Sequence, residues 1–255
     1  MPYLDVGGRR AHYLHRAPVP AGSLPLIYLH GAGGTHQHWL YQVRDLPRVP
    51  TYALDLPGHG QSTGPGYDSI QAYANWLVAF LDAAGLGQVV VAGHSMGGAI
   101  ALQVALQHPG RVAGLVLIAT GARLRVAPGL LDAIRQDFPA AIGLMGDWAY
   151  GPEAPPEMVR LGQRQLASAG PEILYGDFEA CDGFNVLDRL GEITAPTLIL
   201  CGTLDRMTPT KYATYLRDNI RGANLELVEG AGHMLMIEKP GAVAEALASF
   251  APLAV

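Results

Sequence analysis

Six short apolar runs, each halted by a glycine-rich or polar loop, constrain this chain more than any other feature. Residues 25–29 (PLIYL) stop at HGAGG, 50–55 (PTYALD) at LPGHGQS and 88–93 (QVVVAG) at HSMGG. Residues 112–119 (VAGLVLIA) stop at TGAR, 196–201 (PTLILC) at GTLD and 224–228 (NLELV) at EGAGH. A strand with one wet face alternates apolar and polar residues; runs this continuous suit strands buried on both faces. Helical patterns lie between them. Residues 68–84 carry a helical apolar period and open with Asp68 and Ser69 as candidate caps. Residues 96–107 form a small-residue helix ending before His108–Pro109, and 209–220 and 240–251 each open with proline. Strands alternating with helices predict an α/β fold, a mostly parallel sheet flanked by helices with right-handed crossovers. Ahead of this pattern, residues 3–6 and 10–15 flank Gly7–Gly8 as a hairpin.

One segment breaks the alternation. Residues 122–190 hold short helical pieces with aromatics and methionines and no convincing strand. Lying between two strand runs, they read as a helical cap inserted above the sheet. The organisation is therefore core (1–121), cap (122–190) and core again (191–255). Phe138, Met145, Trp148 and Phe178 are the cap's candidates for an apolar pocket over the site, each with packing inside the cap as the alternative.

Composition removes several classes. With 17 basic against 22 acidic residues, no basic stripe exists to meet a phosphate backbone, so a nucleic-acid partner is not expected. Two cysteines cannot frame a disulfide-rich scaffold, and no CxxC pair offers zinc ligands. The glycine-rich stretches match neither GxxxxGK[ST] nor a GxGxxG after the first strand, so no nucleotide cofactor is expected. No apolar run approaches the ~18 residues of a membrane span, and the N-terminus has no signal-peptide pattern, so the expected location is cytoplasmic.

The strongest local signal is Gly93-His94-Ser95-Met96-Gly97, of the form GxSxG, between an apolar strand and a small-residue helix. A tight strand-to-helix turn forces the central side chain into an exposed, strained position at a helix N-terminus, where backbone N–H groups are free. A serine hydroxyl needs a base to become a nucleophile. His233, in the glycine-rich loop Gly230-Ala231-Gly232-His233 after a strand, is the best candidate. His12, His15, His59 and His108 read as surface or turn residues. The acid that orients His233 is Asp205, directly after strand 196–201; Asp177, Asp182 and Asp188 fall in the helical insertion, and Asp55 reads as a cap or loop brace. The oxyanion of a tetrahedral intermediate needs two backbone donors. One is Met96 N–H. The other comes from the loop after strand 25–29, with Ala32 favoured and Gly33 second. His30, His36 and His38 have a spacing that invites a metal reading, but no acidic residue lies near them before Asp45. No metal and no organic cofactor are expected.

These residues resemble the α/β-hydrolase fold superfamily, in particular its small, capped, bacterial group. That group includes carboxylesterases, monoacylglycerol-type lipases, C–C hydrolases of ring-cleavage products and cofactor-free haloperoxidases or perhydrolases. His30-Gly31 and the following glycines resemble the oxyanion loop. Asp55 to Ser62 resembles the loop after the fourth strand, Gly93 to Gly98 the nucleophile elbow, Gly202 to Pro209 the acid loop, and Gly230 to Pro240, with Glu238, the histidine loop. The resemblance covers nearly the whole chain and implies an eight-stranded sheet with the cap after the sixth strand.

The substrate is weighed branch by branch. Epoxide hydrolases and haloalkane dehalogenases carry an aspartate at the elbow, where this chain has Ser95. C–C hydrolases typically place Trp after the catalytic histidine, where this chain has Met234, although Arg160 or Arg164 could hold an acidic substrate. Haloperoxidase-like members typically carry an aromatic after the His-Gly, where this chain has Ala32. A hydrolase-fold signalling protein with an intact triad stays open. The favoured expectation is a carboxylesterase of short to medium acyl chains, monomeric or homodimeric, whose partner is a small ester with an apolar acyl group.

Overall fold

The computed structural model describes residues 2–16, 23–46, 48–250 and 252. A hairpin of β1 (Tyr3–Val6) and β2 (Arg9–Arg16) leads to β3 (Leu26–Leu29), α1 (Leu40–Asp45), β4 (Thr51–Leu54) and α2 (Ile70–Ala83). Next come β5 (Val89–His94), α3 (Met96–Gln107) and β6 (Val112–Ile118). Four helices follow: α4 (Leu130–Gln136), α5 (Phe138–Ala149), α6 (Pro156–Ser168) and α7 (Pro171–Asp182). The chain ends with β7 (Thr197–Gly202), α8 (Thr210–Asn219), β8 (Asn224–Val228), α9 (Leu235–Glu238) and α10 (Pro240–Ser249). The eight strands form one sheet in the order β1-β2-β4-β3-β5-β6-β7-β8. β2 runs antiparallel to both its neighbours, and β4 to β8 through β3 are parallel.

The continuous apolar runs are explained by two buried faces. Ile27, Leu29, Val89, Val91, Leu115 and Leu117 pack on one side of the sheet against α2, α3 and α8. Leu26, Tyr28, Val90, Ala92, Val116 and Ile118 pack on the other against α1 and α10. Successive strand residues point to opposite faces, so a strand covered on both sides needs apolar residues at every position. Helix α2 starts at Ser69, whose side chain accepts from Ala72 N–H, a cap worth roughly 1 kcal/mol; Asp68 lies one position outside.

Helices α4 to α7 form a cap inserted between β6 and β7. They have a small core of their own, built from Leu130, Ile134, Ile142, Met145, Leu174 and Phe178. The cap also bonds to the sheet's loops. Met234 N–H donates to Ala149 O (3.0 Å), and Glu238 accepts from Gly151 N–H at the end of α5 (2.8 Å) and from Gly232 N–H (3.1 Å). The cap is thereby stitched to the loop that carries His233. Among the described residues, no helix is long and apolar enough to cross a membrane.

Candidate active site

Ser95 sits at the junction of β5 and α3 with φ 53° and ψ −116°, a conformation that costs a side-chain-bearing residue roughly 1–3 kcal/mol. The surrounding glycines make it possible. A Cβ at Gly93 would strike the Gly97 carbonyl, one at Gly97 the Leu29 carbonyl, and one at Gly98 the Thr120 side chain. The turn is held from both ends. Ser95 N–H donates to Ile118 O (2.9 Å), and Ser95 O accepts from Gly98 N–H (2.9 Å) and from Thr120 Oγ1 (2.8 Å). Met96, the first residue of α3, keeps its N–H outside the helix's own ladder.

His233 and Asp205 come together from the loops after β8 and β7. His233 Nδ1 lies 2.9 Å from Asp205 Oδ2, and both side chains are buried. Asp205 Oδ1 accepts from Met207 N–H (2.9 Å) and Thr208 N–H (2.8 Å), and Oδ2 also accepts from Thr208 Oγ1 (2.8 Å). Burial alone would raise the Asp205 carboxyl. Its neighbours His233 and Thr208 outweigh that effect and hold it below the usual carboxylate range. The elbow's own histidine braces the assembly from the other side, with His94 Nε2–H donating to His233 O (3.1 Å).

Two cavities meet at Ser95. The first is lined mainly by apolar groups, among them Ala32, Met145, Leu166, Phe178 and Met234, and also by His233. The second is lined by Leu124, Trp148, Phe178, Met207 and Tyr212, with Arg125 and Arg206 beside them. Of the four cap residues singled out from sequence, Met145 and Phe178 line the first cavity and Trp148 lines only the second. Phe138 lines neither and packs against the cap's own cluster. It opens α5, whereas the C-terminal half of that helix reaches the site.

The backbone N–H groups of the glycine loop after β3 differ in their partners. Gly34 N–H donates to Gly31 O (3.0 Å), closing a turn with Gly33 at φ +62°. Gly33 N–H, the second candidate donor, donates to Asp177 Oδ2 (2.8 Å). Ala32 N–H has no partner among the described residues.

The histidines depart most from the sequence reading. His12 and His59, expected at the surface or in turns, are fully buried. His12 Nδ1 and His36 Nδ1 both donate to Asp55, at 2.7 and 2.9 Å, and Asp55 also accepts from His36 N–H and Gln61 N–H. His30, His36 and His38 do not converge. His30 donates to Gly31 O and accepts from Leu56 N–H, while His38 lines the first cavity, where burial pushes it down to about 4. Among the described residues, the three side chains that lie close enough to share an ion are His12, His36 and Asp55. Their facing atoms already pair as N–H donors and carboxylate acceptors, the chemistry of a loop brace. Arg160, weighed as an anion holder, is exposed and paired with Glu157.

Sequence reasoning missed Asp177, which it set aside as part of the insertion. A signal was present. Leu174, Asp177, Phe178 and Cys181 share one helical face, so a carboxylate stands in an apolar stripe and needs buried partners.

Comparison with known proteins agrees with this architecture. The family model described as the alpha/beta hydrolase family matches residues 26–246. RutD of Caulobacter vibrioides, provisionally named a carbamate hydrolase, is 30% identical, with 94% of each chain covered. A thermophilic esterase of known structure superimposes with a TM-score of 0.88 at 32% identity, covering 98% of this chain and 96% of that one. Est816, described as an N-acyl homoserine lactone degrading enzyme, superimposes with a TM-score of 0.87 at 29% identity, covering 98% of this chain and all (100%) of the other.

Proposed function

Since the chain belongs to the alpha/beta hydrolase family, we propose that it is a serine carboxylesterase acting on small esters of short to medium acyl chain through an acyl-enzyme. In this reading Ser95 is the nucleophile, His233 the general base and acid, and Asp205 the residue that orients and charges-matches His233. The N–H groups of Met96 and Ala32 hold the oxyanion. One observation carries the reading: a strained serine on the wall of an apolar cavity, sharing that wall with a histidine whose far nitrogen is 2.9 Å from a buried carboxylate. Ester hydrolysis itself accords with the esterases the chain resembles.

The reaction follows from these placements. His233 Nε2 takes the Ser95 proton as Oγ adds to the ester carbonyl, and Met96 and Ala32 donate to the developing oxyanion. Collapse of the tetrahedral species breaks the C–O bond, and His233 returns the proton to the departing alcohol. Water, activated by His233, then releases the acid and restores Ser95. We read residues 122–190 as the cap, and 1–121 with 191–255 as the two parts of the core.

Substrate size tests the assignment of the apolar cavity to the acyl chain. Each buried CH₂ gains about 0.8 kcal/mol, so kcat/KM should rise by up to roughly fourfold per methylene until the cavity is full. Across p-nitrophenyl esters from C2 to C16 the optimum is expected near C4 to C8, with weak activity beyond C12. Met145→Ala, on the first cavity, should move the optimum to longer chains. Trp148→Ala, on the second, should leave the acyl profile in place and alter the preference among leaving alcohols. An optimum at C2 with a steep fall by C4 contradicts the apolar acyl site.

The proposed triad supplies nucleophile, base and charge stabilisation without an ion. Activity is therefore expected to survive prolonged EDTA or phenanthroline. Loss on chelation and recovery with zinc would assign a role to His12, His36 and Asp55.

A further inference from the structure

Asp177 lies on α7 of the cap, fully buried, and its carboxylate accepts three hydrogen bonds from three separate parts of the core. Oδ2 accepts from Gly33 N–H (2.8 Å) and His59 Nε2–H (2.8 Å), and Oδ1 accepts from Tyr73 Oη–H (2.7 Å). Hydrogen-bond accounting sets the direction of two of these bonds. Tyr73 Oη accepts from Tyr67 N–H (3.1 Å), so its own proton goes to Asp177. His59 Nδ1 faces the Pro57 carbonyl at 3.0 Å, which can only accept, while Nε2 faces Asp177. Nδ1 therefore carries a proton. Gly33 N–H and Tyr73 Oη–H donate to the Asp177 carboxylate, and His59 Nε2 faces it at 2.8 Å. Burial pushes His59 down, but Asp177 beside it more than compensates and leaves it above the ordinary histidine value.

The consequence lies one residue away, at Ala32. The Gly31–Ala32 peptide is held by its carbonyl, since Gly31 O accepts from Gly34 N–H (3.0 Å) and from His30 Nδ1–H (2.8 Å). In a trans peptide the N–H points opposite to the C=O, so Ala32 N–H is aimed away from those two donors. The next peptide, Ala32–Gly33, has its N–H bound by Asp177. Gly33 in the third position of this turn, at φ +62°, fits a type II turn, in which the central peptide is flipped relative to type I. The Asp177 bond holds that flip. Side chains of the cap press on the same spot: a Cβ at Gly33 would meet Leu166 Cδ1 at 2.6 Å and Leu174 Cδ1 at 2.8 Å.

We propose that Asp177 is a positioning residue through which the seated cap completes the oxyanion hole: its bond to Gly33 N–H holds the turn that points Ala32 N–H at the substrate. The inference rests on the serine-esterase reading above. Asp177 touches no reacting atom. It acts through Gly33, and the turn loses its anchor if the cap lifts.

The test is Asp177→Asn, measured on a p-nitrophenyl ester and on the matching thionoester. Sulfur is larger and a weaker hydrogen-bond acceptor than oxygen, so an intact oxyanion hole favours the ester. The expected result is a fall in kcat of roughly 10–100-fold, smaller than outright loss of a donor, with KM changed less than about threefold. The ester-to-thionoester ratio of kcat should drop by about fivefold or more, a change that general loosening of the fold does not produce. Asp182→Asn removes another carboxylate of α7, one that accepts from Val126 N–H, and should leave both kcat and the ratio within about threefold. If Asp177→Asn fails to fold, Asp177→Ser, which leaves room for water to reach Gly33 N–H, is read by the same ratio. A folded variant with unchanged kcat and ratio overturns the proposal, and so does loss of fold in both variants, which leaves Asp177 a purely structural role. Ser95→Ala, assayed in parallel, separates the two levels. Residual activity there overturns the esterase reading itself, whereas an inactive Ser95→Ala beside an unaffected Asp177→Asn overturns only the positioning role.

Discussion

Replacing Ser95 with alanine is expected to lower kcat by roughly 10³–10⁶-fold while leaving the fold intact. In the proposed mechanism the acyl group is carried on Oγ, and alanine leaves only binding and the oxyanion donors. Because nucleophile and base act as a unit, His233→Ala should fall in the same range, and the double variant should be little worse than either single one. Stability is expected to be nearly unchanged, or slightly improved, because the hydroxyl contributes little to packing whereas the strain at φ 53° persists with any side chain. The measurement is kcat on a p-nitrophenyl ester beside a thermal melt. Retention of more than about a tenth of wild-type kcat would falsify the assignment of Ser95 as nucleophile.

Asp205→Asn is the second large effect, expected at roughly 10²–10⁴-fold in kcat. The hydrogen bonds around this side chain explain why an isostere should be so damaging. Oδ1 faces two backbone donors, Met207 N–H and Thr208 N–H, so an asparagine keeps its oxygen there. Its amide nitrogen then replaces Oδ2 opposite His233 Nδ1. An N–H in that place requires a lone pair on Nδ1, which moves the imidazole proton to Nε2. The tautomer with Nε2–H cannot take the Ser95 proton. Asp182→Asn, expected within about threefold, and Asp188→Asn, expected to cost less than about tenfold, have no histidine partner of this kind among the described residues. The same carboxyl also links pH to stability. Its folded value lies below its unfolded one, so its contribution is complete above the ordinary carboxylate range and is lost as pH falls through the folded value. The gap in melting temperature between wild type and Asp205→Asn should therefore be largest near neutrality and close in acid. An unchanged gap at low pH, or full activity in the variant, assigns the orienting role to another residue.

The contrast between Asp205 and Asp177 shows which kinds of residue can be read from a linear chain. Asp205 follows a strand in a loop with turn residues, the setting in which polar groups gather at the end of a parallel sheet, and the serine and histidine occupy equivalent loops. Asp177 sits inside a helix of the cap, 144 positions from the glycine it binds and 118 from its histidine. Its apolar neighbours at helical spacing announce a buried carboxylate but do not identify its partners. His12 and His59 were unreadable for the same reason. A histidine beside a turn is usually wet, and only the packing of β2 against β4 and of the cap over the loop after β4 takes these two out of water. The pocket residues met a different obstacle. Phe138, Met145 and Trp148 belong to one helix, and composition cannot tell which face and which end of it look toward Ser95.

Sequence alone determined the alternation of strands and helices, the inserted position of the cap, and the loops on which Ser95, Asp205 and His233 stand. These depend on periodicity and on turn chemistry, which act between residues close in the chain. Tertiary structure alone decided that Gly33 gives its N–H to Asp177 while Ala32 N–H has no partner among the described residues, that Trp148 faces a different cavity from Met145, and that seven of the histidines are buried. Each of these depends on groups that meet only when the cap docks on the sheet, and a buried polar atom takes its role from whichever donor or acceptor that docking brings within about 3 Å.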